Sequence, residues 1–158
     1  MSSEPIRIAS VGLGWWSDVL ADAALRTDGQ VQIATCFTRS EEKRKIFAEK
    51  YSCAAASSIE EVLGDDSIDG VINTTPNHVH LETTAEAAKA GKHVFLDKPI
   101  ANTIADAKAI TQVCKDNNVV LGVGYQRRRQ GHFRWIQEQI AAGNFGKLVN
   151  AEDRKSVV

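Results

Sequence analysis

The stretch Ile6-Arg7-Ile8-Ala9-Ser10-Val11-Gly12-Leu13-Gly14-Trp15-Trp16-Ser17 narrows the folds open to this chain more than any other. A short β-branched run ends in a glycine pair and then opens an apolar helical pattern. In that strand–turn–helix context a glycine-rich turn becomes a dinucleotide hypothesis. Gly12 can take the tight turn. Gly14 lacks a Cβ, so the backbone can come close to a pyrophosphate, and the helix that follows aims its free N–H groups and positive dipole end at that anion. The third position of the fingerprint is Ser17, still small enough for close helix–strand packing.

Behind this start, strands and helices alternate almost without interruption. Strands are expected at Ile6–Val11, Val31–Phe37, Ala54–Ala56, Gly70–Thr74, His93–Leu96 and Val119–Val123. The first helix is expected over Trp16–Thr27, with Val19, Leu20, Ala23, Ala24 and Leu25 forming its buried face. Ser40 can cap a second helix through about Tyr51, with Ile46 and Phe47 on its apolar side. Ser58-Ile59-Glu60-Glu61 reads as a capping box for a short helix that stops at Gly64. A helix from about Val79 to Ala90 stops at Gly91. Thr103 starts another, to about Asp116, and His132–Ala142 is a last one, ending at Gly143. The strands are nearly continuous apolar runs, as expected of parallel strands covered on both faces. The fold class is therefore α/β, a doubly wound parallel sheet. Residues 1–145 are expected to form one dinucleotide-binding domain, and residues 146–158, from Gly146 on, to begin the strand of a further, truncated domain.

At 158 residues, 43% apolar and 25% charged, the chain has the composition of a soluble globular domain. Its net charge of −1 gives no global field for nucleic acid or an anionic membrane. Cys36, Cys53 and Cys114 form no C-x-x-C pair and no metal spacing. Cys36 and Cys114 sit in apolar patterns and read as buried hydrophobes. With no apolar leader and no run of membrane-spanning length, a cytoplasmic location is expected.

Ligands of open parallel sheets bind beyond the carboxyl ends of the strands. After the second strand comes Thr38-Arg39-Ser40, where an NAD-specific site usually offers an acidic residue to the ribose. Arg39 can pair with a 2′-phosphate, and Thr38 and Ser40 can donate to it, which favours NADP over NAD. The alternative is a solvated Arg39 with Ser40 as a simple helix cap. After the fourth strand comes Thr74-Thr75-Pro76-Asn77-His78-Val79-His80. Asn77 can bond a ligand or cap the helix, and His80 can pack or contact a nicotinamide. His78 and His80 cannot chelate one metal from a regular helix, and no metal site is expected. After the fifth strand comes Asp97-Lys98-Pro99, where Lys98 is a candidate proton-transfer group. After the sixth, Gln126 and Arg127 can bind an anionic or polyhydroxyl substrate, with Arg128 and Arg129 solvated. The arginine run is too short, and lacks aromatic platforms, for a nucleic-acid site. Trp15 either flanks the nicotinamide or substrate pocket or packs on the first helix, and Trp16 is its alternate.

Four pieces in order and spacing resemble one family: Gly12-Leu13-Gly14, Thr75-Pro76-Asn77-His78-Val79-His80, Gly91-Lys92-His93-Val94-Phe95-Leu96-Asp97-Lys98-Pro99 and Gly124-Tyr125-Gln126-Arg127-Arg128. They are similar to the glucose–fructose oxidoreductase / inositol dehydrogenase / rhizopine catabolism (Gfo/Idh/MocA) oxidoreductases. The resemblance implies an N-terminal Rossmann domain and a C-terminal α/β substrate domain absent from this chain. It implies NAD(P)-dependent hydride transfer to or from sugars, inositols, dihydrodiols and related compounds. The cofactor would lie over Trp15, Trp16, Thr75, Pro76 and Asn77. The family's Glu-Lys-Pro motif matches Asp97-Lys98-Pro99, with Asp in place of Glu, and Lys98 would contact the reacting hydroxyl. On this reading the parent protein turns over, while the 158-residue chain binds cofactor with poor turnover or none. The rival readings are a nucleotide-sensing or scaffold module without chemistry, and self-association through the surface that a missing domain would cover.

Overall fold

The computed structural model describes residues 4–150, and the chain divides into two compact units, one ending at Gly124 and one beginning at Tyr125. The residues expected to form a single domain through 145 thus comprise the first unit and part of the second.

The first unit holds β1 (Ile6–Val11), α1 (Trp15–Ala24), β2 (Val31–Phe37), α2 (Glu41–Tyr51), β3 (Ala54–Ala55) and α3 (Ile59–Gly64). These are followed by β4 (Gly70–Asn73), α4 (His80–Lys89), β5 (His93–Leu96), α5 (Ile104–Asp116) and β6 (Leu121–Val123). A 3-10 turn, Asn77–Val79, leads into α4. The strand order is β3-β2-β1-β4-β5-β6, and every pair is parallel. The chain therefore runs outward from β1 on one side, then returns to β4 on the other, and the crevice where a doubly wound sheet binds ligands opens between β1 and β4.

Strand alternation sorts the core onto two faces. Ala9, Val11, Val71, Val94 and Leu96 pack with Val62 of α3, Ala87 of α4 and Ile110 of α5. Ile33, Cys36 and Ile72 pack with Ala21 and Ala24 of α1 and with Phe47 and Tyr51 of α2. The helix starts follow local chemistry. Ser58 Oγ accepts from Glu61 N at 3.2 Å and Thr103 Oγ1 from Asp106 N at 3.0 Å, satisfying orphan first-turn donors. The Glu61 carboxylate reaches back one residue further than a simple capping box, to Ser57 N and Oγ at 2.7 and 2.6 Å.

Three expectations are corrected. The buried stripe of α1 is Ser17, Ala21 and Ala24, spaced i, i+4, i+7, with Leu20 packed beside it. Ala23 lies on the solvent side, and Leu25, just past the helix, is 66% exposed. In α2 the apolar stripe is Phe47 and Tyr51, and Ile46, rotated off it, is 59% exposed. Gly146–Asn150 forms no strand, since no described strand pairs with it, and Leu148 and Val149 stand exposed. The rest of that expected strand, through Asp153, lies outside the described residues.

The second unit holds a 3-10 turn, Gln126–Arg129, and α6 (Gly131–Ala141), followed by a turn in which Gly143 takes a φ of +76°. Among the described residues no helix is long and apolar enough to cross a membrane.

Candidate nucleotide site at the carboxyl edge of the sheet

The register puts the ends of five strands level. Phe37, Val11, Asn73, Leu96 and Val123 pair across β2, β1, β4, β5 and β6. The next peptide in each case closes one more rung: Gly12 N donates to Phe37 O, Thr74 N to Val11 O, Asp97 N to Asn73 O and Gly124 N to Leu96 O. Thr38, Gly12, Thr74, Asp97 and Gly124 therefore emerge side by side from the sheet. With strands spaced about 4.8 Å apart, the row from Thr38 to Asp97 is ~14 Å long.

At the centre of the row, Gly12 has a φ of +86°, and a Cβ there would lie 2.7 Å from Thr75 N and 2.8 Å from the Thr74 carbonyl carbon. The β1 and β4 turns thus touch backbone to backbone, and the Thr74 hydroxyl donates to Gly12 O to close the seam. Gly14 differs: its backbone is extended, and a Cβ would meet nothing within 4 Å. It is the N-cap of α1 and offers no side chain to the first turn, so that helix end faces open space. Ser17 is buried, and its hydroxyl donates to Gly14 O at 2.6 Å, so the non-glycine third position is satisfied inside the turn. Trp15 is 75% exposed and tilts against Trp16 at 5.2 Å. A cleft of ≈ 250 Å³ runs from here along α2, lined by Leu13, Gly14, Trp15, Lys43, Ile46 and Phe47.

Beside it, Ser40 caps α2 by accepting from Lys43 N at 3.4 Å, so the capping role is present, while Arg39 extends exposed. Arg44 steadies this turn: its Nη1 donates to Thr38 O at 2.6 Å, and its guanidinium lies 5.8 Å from the centre of the Phe37 ring.

Two residues behind the row hold its loops. Asn73 is buried, and its Oδ1 accepts from both Thr75 N (3.1 Å) and Thr75 Oγ1 (2.7 Å), while its Nδ2 donates to Thr83 Oγ1 at 2.7 Å. Sequence reasoning missed Asn73, because a polar residue closing an apolar strand carries no motif signal. His80 is fully buried, with Nε2 2.9 Å from Thr75 O and Nδ1 3.0 Å from Pro99 O. It packs between the β4 and β5 turns. Pro76 and Asn77 are exposed at the mouth, Asn77 opening the 3-10 turn.

In the β5 turn Lys98 is exposed and precedes a cis proline, Pro99. Asp97 Oδ1 is buried without a hydrogen-bond partner, facing the space where a Cβ on Gly124 would lie, 3.5 Å away. An unpaired buried acceptor costs about 1–3 kcal/mol. The structure thus brings Gly12, Gly14, Thr38, Thr75, Asp97 and Lys98 onto one sheet edge. Gln126 and Arg127 belong to the second unit, where both are exposed and Arg127, Arg128, Phe133 and Gln137 line a cleft of ≈ 300 Å³.

A family model described as "Oxidoreductase family, NAD-binding Rossmann fold" (GFO_IDH_MocA) matches residues 6–125. The chain is 32% identical to the 1,5-anhydro-D-fructose reductase of Ensifer adhaerens over 81% of its own length and 38% of that protein's. It is 29% identical to the scyllo-inositol 2-dehydrogenase (NADP(+)) of Bacillus subtilis over 89% of its length and 39% of the other's. A dehydrogenase of Bordetella pertussis, solved with NADH and UDP-GlcNAcA, superposes with a TM-score of 0.88 at 25% identity, covering 93% of this chain and 42% of that one. The chain spans about two fifths of the length of the curated relatives it matches.

Proposed function

The chain belongs to the Gfo/Idh/MocA oxidoreductase family, and on that premise we propose that it binds a nicotinamide dinucleotide, NADP(H) ahead of NAD(H), for hydride exchange with a sugar, inositol or cyclic diol. The observation that carries this reading is the Gly12–Gly14 turn, closed by backbone contact on one side and open on the other. The closed side excludes any side chain at Gly12. The open side leaves the start of α1 free for a pyrophosphate, attracted by oriented N–H groups and the helix dipole. Asp97 Oδ1 offers an acceptor to a ribose hydroxyl or a substrate hydroxyl. Arg39, exposed beside the Thr38 and Ser40 hydroxyls, supplies the cation for a 2′-phosphate. The bound nicotinamide supplies or accepts the hydride. Lys98 Nζ takes or returns the hydroxyl proton of the substrate carbon, a role worth about 10²–10⁴ in rate. Arg127, and Gln126 beside it, are assigned to substrate and cofactor contacts respectively.

Titration of the chain with NADPH and separately with NADH, followed by tryptophan fluorescence, tests the reading. A charge-assisted contact to the 2′-phosphate is worth about 1.5–3 kcal/mol, or roughly 10- to 100-fold in affinity. NADPH is therefore expected to bind tighter by that factor, and Arg39→Ala to erase the difference. Saturable binding of neither nucleotide overturns the proposal. Equal affinity for both overturns the NADP preference alone.

A further inference from the structure

Arg44 holds a backbone oxygen where a cation ordinarily finds a carboxylate. It is half-buried on α2, its Nη1 donates to Thr38 O at 2.6 Å, and its guanidinium lies 5.8 Å from the centre of the Phe37 ring. Among the described residues no carboxylate forms an ion pair with it. Its own backbone is fixed from both sides. Arg44 N donates to Ser40 O at 3.1 Å, and Cys36 Sγ donates to Arg44 O at 3.6 Å.

A guanidinium held this way fixes a whole peptide. The bond from Thr38 to Arg39 is trans and planar, so its C=O and its N–H point in opposite directions. With Thr38 O turned to Arg44, Arg39 N–H is turned away from it, and among the described residues that N–H meets no acceptor. The exposed Arg39 side chain leaves from the same peptide. In this orientation the turn offers a ligand a donor. A flipped peptide would offer the Thr38 carbonyl, an acceptor. A phosphate dianion brings only acceptor oxygens and is repelled by a carbonyl, whereas a hydroxyl both donates and accepts and is served by either. Glu41 and Glu42 in the first turn of α2 oppose an anion here, with Lys45 holding Glu41 at 2.7 Å. A donor of fixed direction therefore counts for more at this turn than charge alone.

We propose that Arg44 is the positioning residue for the choice between NADP(H) and NAD(H). It touches neither nucleotide. It holds the Thr38–Arg39 peptide so that the Arg39 N–H and side chain are both available to the 2′-phosphate. This role rests on the dinucleotide reading above and adds to it a residue behind the turn.

The test is the ratio of the Kd for NADH to that for NADPH, measured by calorimetry on the 158-residue chain and its variants. Arg44→Met keeps the apolar stem and removes charge and donor. It is expected to lower the ratio roughly tenfold while the Kd for NADH stays within about twofold. A merely structural role would weaken both nucleotides alike. Arg44→Lys keeps the charge and one donor for Thr38 O, and is expected to recover most of the ratio. Adding Arg44→Met to Arg39→Ala is expected to change the ratio no further, since both residues act through one peptide. On the unaltered chain, where no variant can fail to fold, the Arg39 amide proton is expected to move downfield with NADPH and not with NADH. Equal loss for both nucleotides, an unchanged ratio in Arg44→Met, no recovery in Arg44→Lys, a further fall in the double variant or an Arg39 amide that NADPH leaves unmoved overturns the proposal. A chain that prefers NADPH and keeps that preference in Arg44→Met overturns the role of Arg44 alone. An unaltered chain with no preference for NADPH overturns the NADP reading and this role together.

Discussion

At Gly12 two constraints coincide: a positive φ, and a backbone neighbour where a side chain would begin. Neither Thr74 nor Thr75 can give way, since both are backbone in a turn pinned by Asn73. Gly12→Ala is expected to cost about 1–3 kcal/mol in chemical denaturation and to abolish nucleotide quenching. Gly14→Ala, with open space around it, is expected to leave stability within about 1 kcal/mol of the parent while weakening nucleotide binding, so the pair separates fold from cradle. A second residue-scale prediction concerns acid. Burial raises the Asp18 carboxyl, but hydrogen bonds from Lys50 Nζ (2.8 Å) and Tyr51 Oη (2.9 Å) outweigh it and hold the group below its ordinary value. A depressed carboxylate stabilises the fold above its unfolded value, about 3.9, and that contribution is lost as pH falls through the lower folded value. Asp18→Asn is therefore expected to flatten the decline of stability between about pH 5 and pH 2. An unchanged slope sinks the idea. The side chain is partly in water, which keeps the effect small.

Among the elements, α5 shows how much local chemistry fixes. Thr103 Oγ1 accepts from Asp106 N at 3.0 Å and donates to Asp106 Oδ2 at 2.7 Å. Thr103→Ala is expected to lower stability by about 0.5–2 kcal/mol with nucleotide affinity unchanged, measured by urea unfolding and the same titration. The strands Ile6–Val11, Val31–Phe37 and His93–Leu96 were legible to the residue, because runs of apolar residues between turn signals leave one assignment. The face of α1 was not. Its stripe includes a serine whose hydroxyl is consumed by Gly14 O, and hydrophobicity alone does not register a polar group that satisfies itself. Asn73 escaped notice for the same reason: its value lies in partners two and ten residues away in a turn whose shape the sequence does not print.

On the scale of the molecule, apolar residues remain uncovered in the second unit: Phe133, Trp135, Ile136 and Ile140 on α6, then Phe145. A second copy associating through them is expected to make sedimentation concentration-dependent, and Ile136→Glu with Ile140→Glu to restore a monomer. A strictly monomeric parent chain at high concentration counts against it. The sequence by itself determined the alternation of strands and helices, the glycine turn at the first crossover, the caps at Ser58 and Thr103, and the family. All of these rest on interactions within a few residues or on motifs contiguous in the chain. Only the tertiary structure decided the level row Phe37–Val11–Asn73–Leu96–Val123, which makes one edge of residues drawn from five strands. It also decided the backbone contact that forbids a side chain at Gly12 and the burial of His80 between two turns. Strand order and register are set by which apolar faces can be buried together. That is a property of the packed sheet, which no single segment contains.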